Sequence, residues 1–141
     1  MSLSVISFTE NGLALSGKVR ETFTAEEVNL FTKCSFARES AEAVYVEEST
    51  GQWAGKQMEE GNALLFIGAC GIAVRAAAPW IKDKLHDSPV LVMDEMGHFV
   101  IPVLSGHMGG ANELAERISK VMGAVPVITT ATDLNRKFAV D

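Results

Sequence analysis

Five uninterrupted apolar residues, Ala63-Leu64-Leu65-Phe66-Ile67, limit what this chain can become more than any other stretch. Successive side chains of a strand point to opposite faces, so a strand that is apolar at every position needs cover on both. The run has strand length and is followed at once by Gly68-Ala69-Cys70-Gly71, a turn composition. A central strand of a mostly parallel sheet, with helices above and below, satisfies it.

The rest of the chain fits that frame. Residues 3–8, 27–32, 44–46, 90–93, 99–104 and 125–128 read as further strands. Residues 10–21 form a possible helix that Gly12 and Gly17 weaken, residues 50–60 a short helix stopped by Gly61, and residues 72–78 a helix that Pro79 ends or kinks. Residues 33–43 are ambiguous. The short turn Asp94-Glu95-Met96-Gly97 predicts an antiparallel hairpin between the strands on either side. After Gly110, the residues Ala111, Leu114, Ala115, Ile118, Val121 and Met122 fall on one helical face, with Gly123 as the stop. The expectation is one α/β domain over residues 1–141, a three-layer α/β/α arrangement whose mostly parallel sheet carries one antiparallel hairpin.

Charge narrows the function. With 12 Lys+Arg against 18 Asp+Glu the formal net charge is −6, which argues against a nucleic-acid surface. No apolar stretch is long enough to span a bilayer, and the N-terminus lacks the basic start of a signal peptide. Cys34 and Cys70 match no metal or redox spacing, so two reduced thiols in a cytoplasmic protein are expected. No His, Cys and carboxylate spacing suits a protein-held metal.

Chemistry-bearing residues gather in three loops, each after an apolar strand: 68–75, 105–113 and 129–133. If all those strands run in parallel, the loops crowd one sheet edge, where ligands of open α/β sheets sit. The glycines Gly68, Gly71, Gly106, Gly109 and Gly110 bare the backbone, and the first N–H groups of the helix after Gly110 suit an anion. Arg75 is either a carboxylate partner or half of a surface ion pair. His107 is either a general acid or base, or a brace for its turn. Ser105 is a weak candidate nucleophile beside it, and a helix-capping or ligand-binding hydroxyl is the simpler role. Glu113 is a candidate acid or base, although its place in a first helical turn is explained by the helix dipole. Asn112, Thr129, Thr130 and Asp133 are candidate substrate contacts. Asp94 suits its turn, and Asp94 with Glu95 makes a poor catalytic pair.

Five ordered motifs carry a family resemblance: Gly68-Ala-Cys-Gly-Ile-Ala-Val-Arg75 with Ala78-Pro79; Lys82-Asp-Lys84; Val92-Met-Asp-Glu-Met-Gly97; Leu104-Ser-Gly-His-Met-Gly-Gly-Ala-Asn-Glu-Leu-Ala115; and Pro126-Val-Ile-Thr-Thr-Ala-Thr-Asp133. In this order they resemble the N-terminal region of the CbiG-type cobalamin-biosynthesis proteins, the cobalt-precorrin-5A hydrolases. The resemblance implies water opening the ring-A δ-lactone of cobalt-precorrin-5A, release of a two-carbon fragment as acetaldehyde, and cobalt-precorrin-5B as product. It implies no protein-held cofactor, because the cobalt arrives with the substrate. The partner it implies is this cobalt corrinoid, with a C-terminal domain, other cobalamin-pathway enzymes or a second copy as further associates. Family members usually continue past the position of Asp141 into a linker and a C-terminal domain.

Two alternatives stand beside catalysis. One is a corrinoid-carboxylate-binding module that needs that further domain for chemistry. The other is a general phosphate or nucleotide binder, which ranks last because Gly-x-Gly-x-x-Gly and Gly-Lys-Ser/Thr patterns are missing.

Overall fold

The computed structural model describes residues 2–39, 42–105 and 110–131. In chain order the elements are β1 (Ser2–Ser7), α1 (Glu10–Thr22), β2 (Glu27–Thr32), β3 (Val44–Tyr45), α2 (Thr50–Glu59), β4 (Ala63–Ile67), α3 (Cys70–Ala77), β5 (Val90–Met93), β6 (Phe99–Leu104), α4 (Ala111–Met122) and β7 (Val125–Pro126). Short 3-10 turns cover Ser35–Ala37, within the stretch the sequence left open, and Ala78–Trp80, where Pro79 ends the α-helical hydrogen bonding. The strands form one sheet in the order β3-β2-β1-β4-β5-β6-β7. Neighbours β5 and β6 are antiparallel and every other neighbouring pair is parallel.

The uninterrupted run does feed two cores. Leu65 and Ile67 join Leu3, Val5, Leu91 and Met93 on the face covered by α1 and α4. Leu64 and Phe66 join Ile6, Val90 and Val92 on the face covered by α2 and α3. The period-2 alternation of strand side chains thus makes three layers. Ala63–Ile67 is wholly buried, and at about 25 cal/mol per Å² of apolar area such burial is the main force holding the layers together.

Local chemistry sets the element ends. Thr9 caps α1, its hydroxyl accepting the Gly12 N–H at 3.1 Å. Gly12, which weakened the helix on propensity, is buried against Ser7 and Ile67, where an added Cβ would lie 3.4 Å from each. Close packing of α1 on the sheet is what that glycine permits. In α4 the expected apolar face is buried except at Val121, which is 38% exposed. Gly61 and Gly123, at φ 78° and 70°, follow α2 and α4 as stops.

The turn from β5 to β6 is closed by Asp94, whose carboxylate accepts the N–H groups of Met96, His98 and Phe99. It reverses the chain, and α4 then returns it so that β7 lies parallel to β6. Consequently β6 and β7 both point opposite to β1 through β5.

Candidate functional site

That reversal separates the three loops. Gly68 follows β4, its N–H donating to the Met93 carbonyl at 2.9 Å, at the carboxyl edge of the parallel strands. Ser105 follows β6, whose last residue Leu104 pairs with Val90 at the start of β5. Val90 in turn pairs with Leu64 near the start of β4. The loop after β6 therefore sits at the opposite edge, one strand length from Gly68, or about 17 Å at 3.3 Å per residue. The chain after β7 leaves toward the same edge as Ser105, since Val127 donates to Val100 beside it. The expectation that all three loops share one edge is thus corrected: two do, and the loop bearing Gly68, Gly71 and Arg75 does not.

At the carboxyl edge, Gly71 and Arg75 are both exposed on α3. The Arg75 guanidinium folds back along its helix, with Nη1 3.2 Å from where a Gly71 Cβ would stand. Ala69, the residue before α3, offers no side-chain cap. Close by, the Thr9 hydroxyl donates to Glu95 Oε1 at 2.8 Å, tying the hairpin turn to the start of α1. Sequence reading assigned Glu95 nothing beyond the turn.

At the other edge the groups are polar and convergent. Ser105 has φ 62°, a left-handed conformation unusual for a residue with a side chain. Its hydroxyl donates to the Asp87 carbonyl at 2.9 Å, and its own carbonyl accepts the Ala111 N–H at 3.0 Å. The second bond uses the first of the N–H groups that a helix start leaves without an internal partner. Gly110, the residue before α4, is also left-handed, at φ 87°, with open space where a Cβ would be. Asn112 is 7% exposed, and its Nδ2 donates to Thr130 Oγ1 at 2.8 Å. Thr129 is exposed and Thr130 half-buried. Glu113 is exposed in the first turn of α4, where a carboxylate complements the helix dipole. Gly106, His107, Gly109 and Asp133 lie outside the described residues.

Asp87, which the sequence places in a charged, exposed loop over residues 82–87, is instead buried and organises this edge. Its carbonyl holds Ser105, and its carboxylate Oδ1 accepts the Lys82 N–H at 2.7 Å. Its burial, at 7% exposure, sets it apart from the exposed charges of 82–86, and only folding reveals that. In the same loop His86 Nδ1 lies 2.8 Å from both carboxylate oxygens of Asp83. That contact, with the Leu85 N–H second, holds the Asp83 carboxyl below its ordinary range. Among the described residues no three His, Cys, Asp or Glu side chains gather as a metal cluster, and no helix is long and apolar enough to cross a membrane.

The family described as Cobalamin synthesis G N-terminal matches residues 52–133, more than half of the chain. The chain belongs to that family. The cobalt-precorrin-5A hydrolase of Priestia megaterium is 34% identical over 139 residues, covering 98% of this chain and 37% of its own length. The enzyme of the same name from Salmonella typhimurium is 57% identical over 80 residues, covering 57% of this chain and 23% of its own. This family member therefore spans well under half the length of these curated relatives. A crystal structure of a cobalamin biosynthesis protein G homolog from Sulfolobus solfataricus superposes with a TM-score of 0.70 at 23% identity, over 91% of this chain and 36% of that one. That likeness supports the three-layer fold.

Proposed function

We propose that this family member takes part in cobalt-precorrin-5A hydrolysis, and that the substrate sits at the edge where Ser105, Gly110, Asn112 and Thr130 meet. The observation carrying this reading is that the family match over residues 52–133 contains the whole of that polar edge. Water adds to the ring-A lactone carbonyl while His107 takes its proton. Backbone N–H groups at Gly109 and Gly110 stabilise the oxyanion that forms. The lactone C–O bond then breaks to leave a carboxylate and an alkoxide on the two-carbon fragment. The C–C bond joining that fragment to the macrocycle cleaves next, its electron pair stays on the ring carbon, which takes up the proton held by His107, and acetaldehyde departs, giving cobalt-precorrin-5B. Asn112, Thr129, Thr130 and Asp133 line the macrocycle, whose cobalt is part of the substrate. Ser105 supports the reaction by shaping the loop, because its proton is already donated to the Asp87 carbonyl. Glu113 stays with the helix dipole, and Gly68, Gly71 and Arg75 at the far edge take no part in lactone opening. The compartment we propose for this chemistry is the cytoplasm.

The test is incubation of the chain with cobalt-precorrin-5A and assay of acetaldehyde. Release by the wild type, lost in His107→Ala, supports the reading. Corrinoid binding without acetaldehyde makes the chain a carrier of the macrocycle. Neither binding nor release overturns the proposal.

A further inference from the structure

Beside Ser105, on the α2 and α3 side of the sheet, lies a cleft of about 290 Å³ whose wall includes Asp87 and Ser88. Its apolar part is Met58, Gly55 and the indole of Trp80. Trp80 is 42% exposed, yet its seat is built. Gly55 lies so close beneath the ring that an added Cβ would overlap it, and Trp80 Nε1 donates to the Gly51 carbonyl at 2.9 Å. An indole seated on Gly55 and part-exposed at the cleft is a platform for a flat ligand.

The charges around it are unequal in availability. His86 is occupied by Asp83 at 2.8 Å, and Asp87 Oδ1 by the Lys82 N–H. Glu59 stands exposed at the rim. Lys82 lines the cleft, and among the described residues its ammonium forms no ion pair with a carboxylate. The volume falls just below the range usual for a whole drug-sized ligand, so it suits one edge of a large planar one.

We infer that Trp80 and Lys82 form an aromatic and cationic subsite that holds the rim of a planar polycarboxylate, one ring edge against the indole and one arm on the ammonium. This rests on the proposed corrinoid reading and extends its site from the Asn112 side of the edge to the Trp80 side, with Ser105 and Asp87 between.

The test is equilibrium dialysis of the chain against two cobalt corrinoids, dicyanocobyrinic acid with free carboxylate arms and dicyanocobinamide with amide arms. Trp80→Ala, checked for folding by circular dichroism, is expected to weaken both about tenfold, the scale of stacking on an aromatic side chain. Lys82→Ala, an exposed change that leaves the fold intact, is expected to weaken the carboxylate corrinoid and leave the amide corrinoid unchanged. Wild-type affinity for both ligands in Trp80→Ala and Lys82→Ala, with binding lost in Asn112→Ala, overturns the subsite and spares the corrinoid reading. No binding of either ligand by the wild type overturns both.

Discussion

Asn112 and Thr130 are joined by a 2.8 Å hydrogen bond that ties the first turn of α4 to the segment leaving β7. The two residues are 18 apart in sequence, and neither belongs to a sheet ladder at that point. The bond therefore fixes the start of α4 relative to the chain after β7. A hydrogen bond in a part-buried setting contributes about 1 kcal/mol net, and leaving one partner unmatched costs about 1–3 kcal/mol. Asn112→Ala and Thr130→Val should each lower stability in urea unfolding, and the double variant should lose less than the sum. Strict additivity would show that the pair is not coupled.

Ser105 combines a strained backbone with a useful hydroxyl, and substitutions can part the two. Ser105→Ala keeps φ near 62° and loses the bond to Asp87. Ser105→Gly loses the same bond and relieves the strain. Thermal unfolding should rank wild type and Ser105→Gly above Ser105→Ala, with about 1 kcal/mol separating the two variants. Equal stability of the two variants would show that the left-handed backbone carries no cost there.

Gly55 lets Trp80 close on α2. A Cβ at residue 55 would overlap the Trp80 ring, so Gly55→Ala must push the indole out. The expected cost is about 1–3 kcal/mol, the range for overpacking a filled site. Trp53 is buried at 2% exposure and keeps its place, so any red shift in tryptophan emission reports Trp80 alone.

The Asp83 and His86 pair gives the loop a pH signature. His86, through its ring contact first, lowers the Asp83 carboxyl below its ordinary range. A carboxyl lowered on folding stabilises fully above its unfolded value, and the gain disappears as pH falls through the lowered one. Carboxyl titration by NMR should therefore put Asp83 below an ordinary aspartate. His86→Ala should move it back up, though not fully, since the Leu85 N–H still donates to it at 2.8 Å.

Arg75 tests the geometry of the two edges. It stands at the carboxyl end of β4, while Ser105 stands where β5 begins. Arg75→Ala should leave acetaldehyde release within about twofold of wild type, while Asn112→Ala should reduce it about tenfold or more, as loss of a positioned contact does. A large loss with Arg75→Ala would mean that substrate spans both edges.

Most elements were legible because their causes are local. The boundaries of Ala63–Ile67, Val90–Met93, Phe99–Leu104 and Ala111–Met122 follow from runs of apolar residues, helical periodicity and bounding glycines. Those signals act over a few residues and need no distant partner. Even the hairpin was written in the turn from Asp94 to Gly97. Its consequence was the missed signal: a tight reversal sends the next strand, and any strand parallel to it, toward the other edge.

Tertiary structure decided which loops meet. The order β3-β2-β1-β4-β5-β6-β7 places β1 beside β4 and separates β3 from β4, the strand that follows it in sequence. That order depends on which faces bury one another across the whole chain, a sum that no local window contains. Packing likewise chose Asp87 as the anchor of Ser105 and seated Trp80 over Gly55. The sequence by itself determined the strands, the helices and the chemistry each loop carries. Strand direction, a property of the assembled sheet, determined that Asn112 and Thr130 share an edge while Arg75 faces the other way.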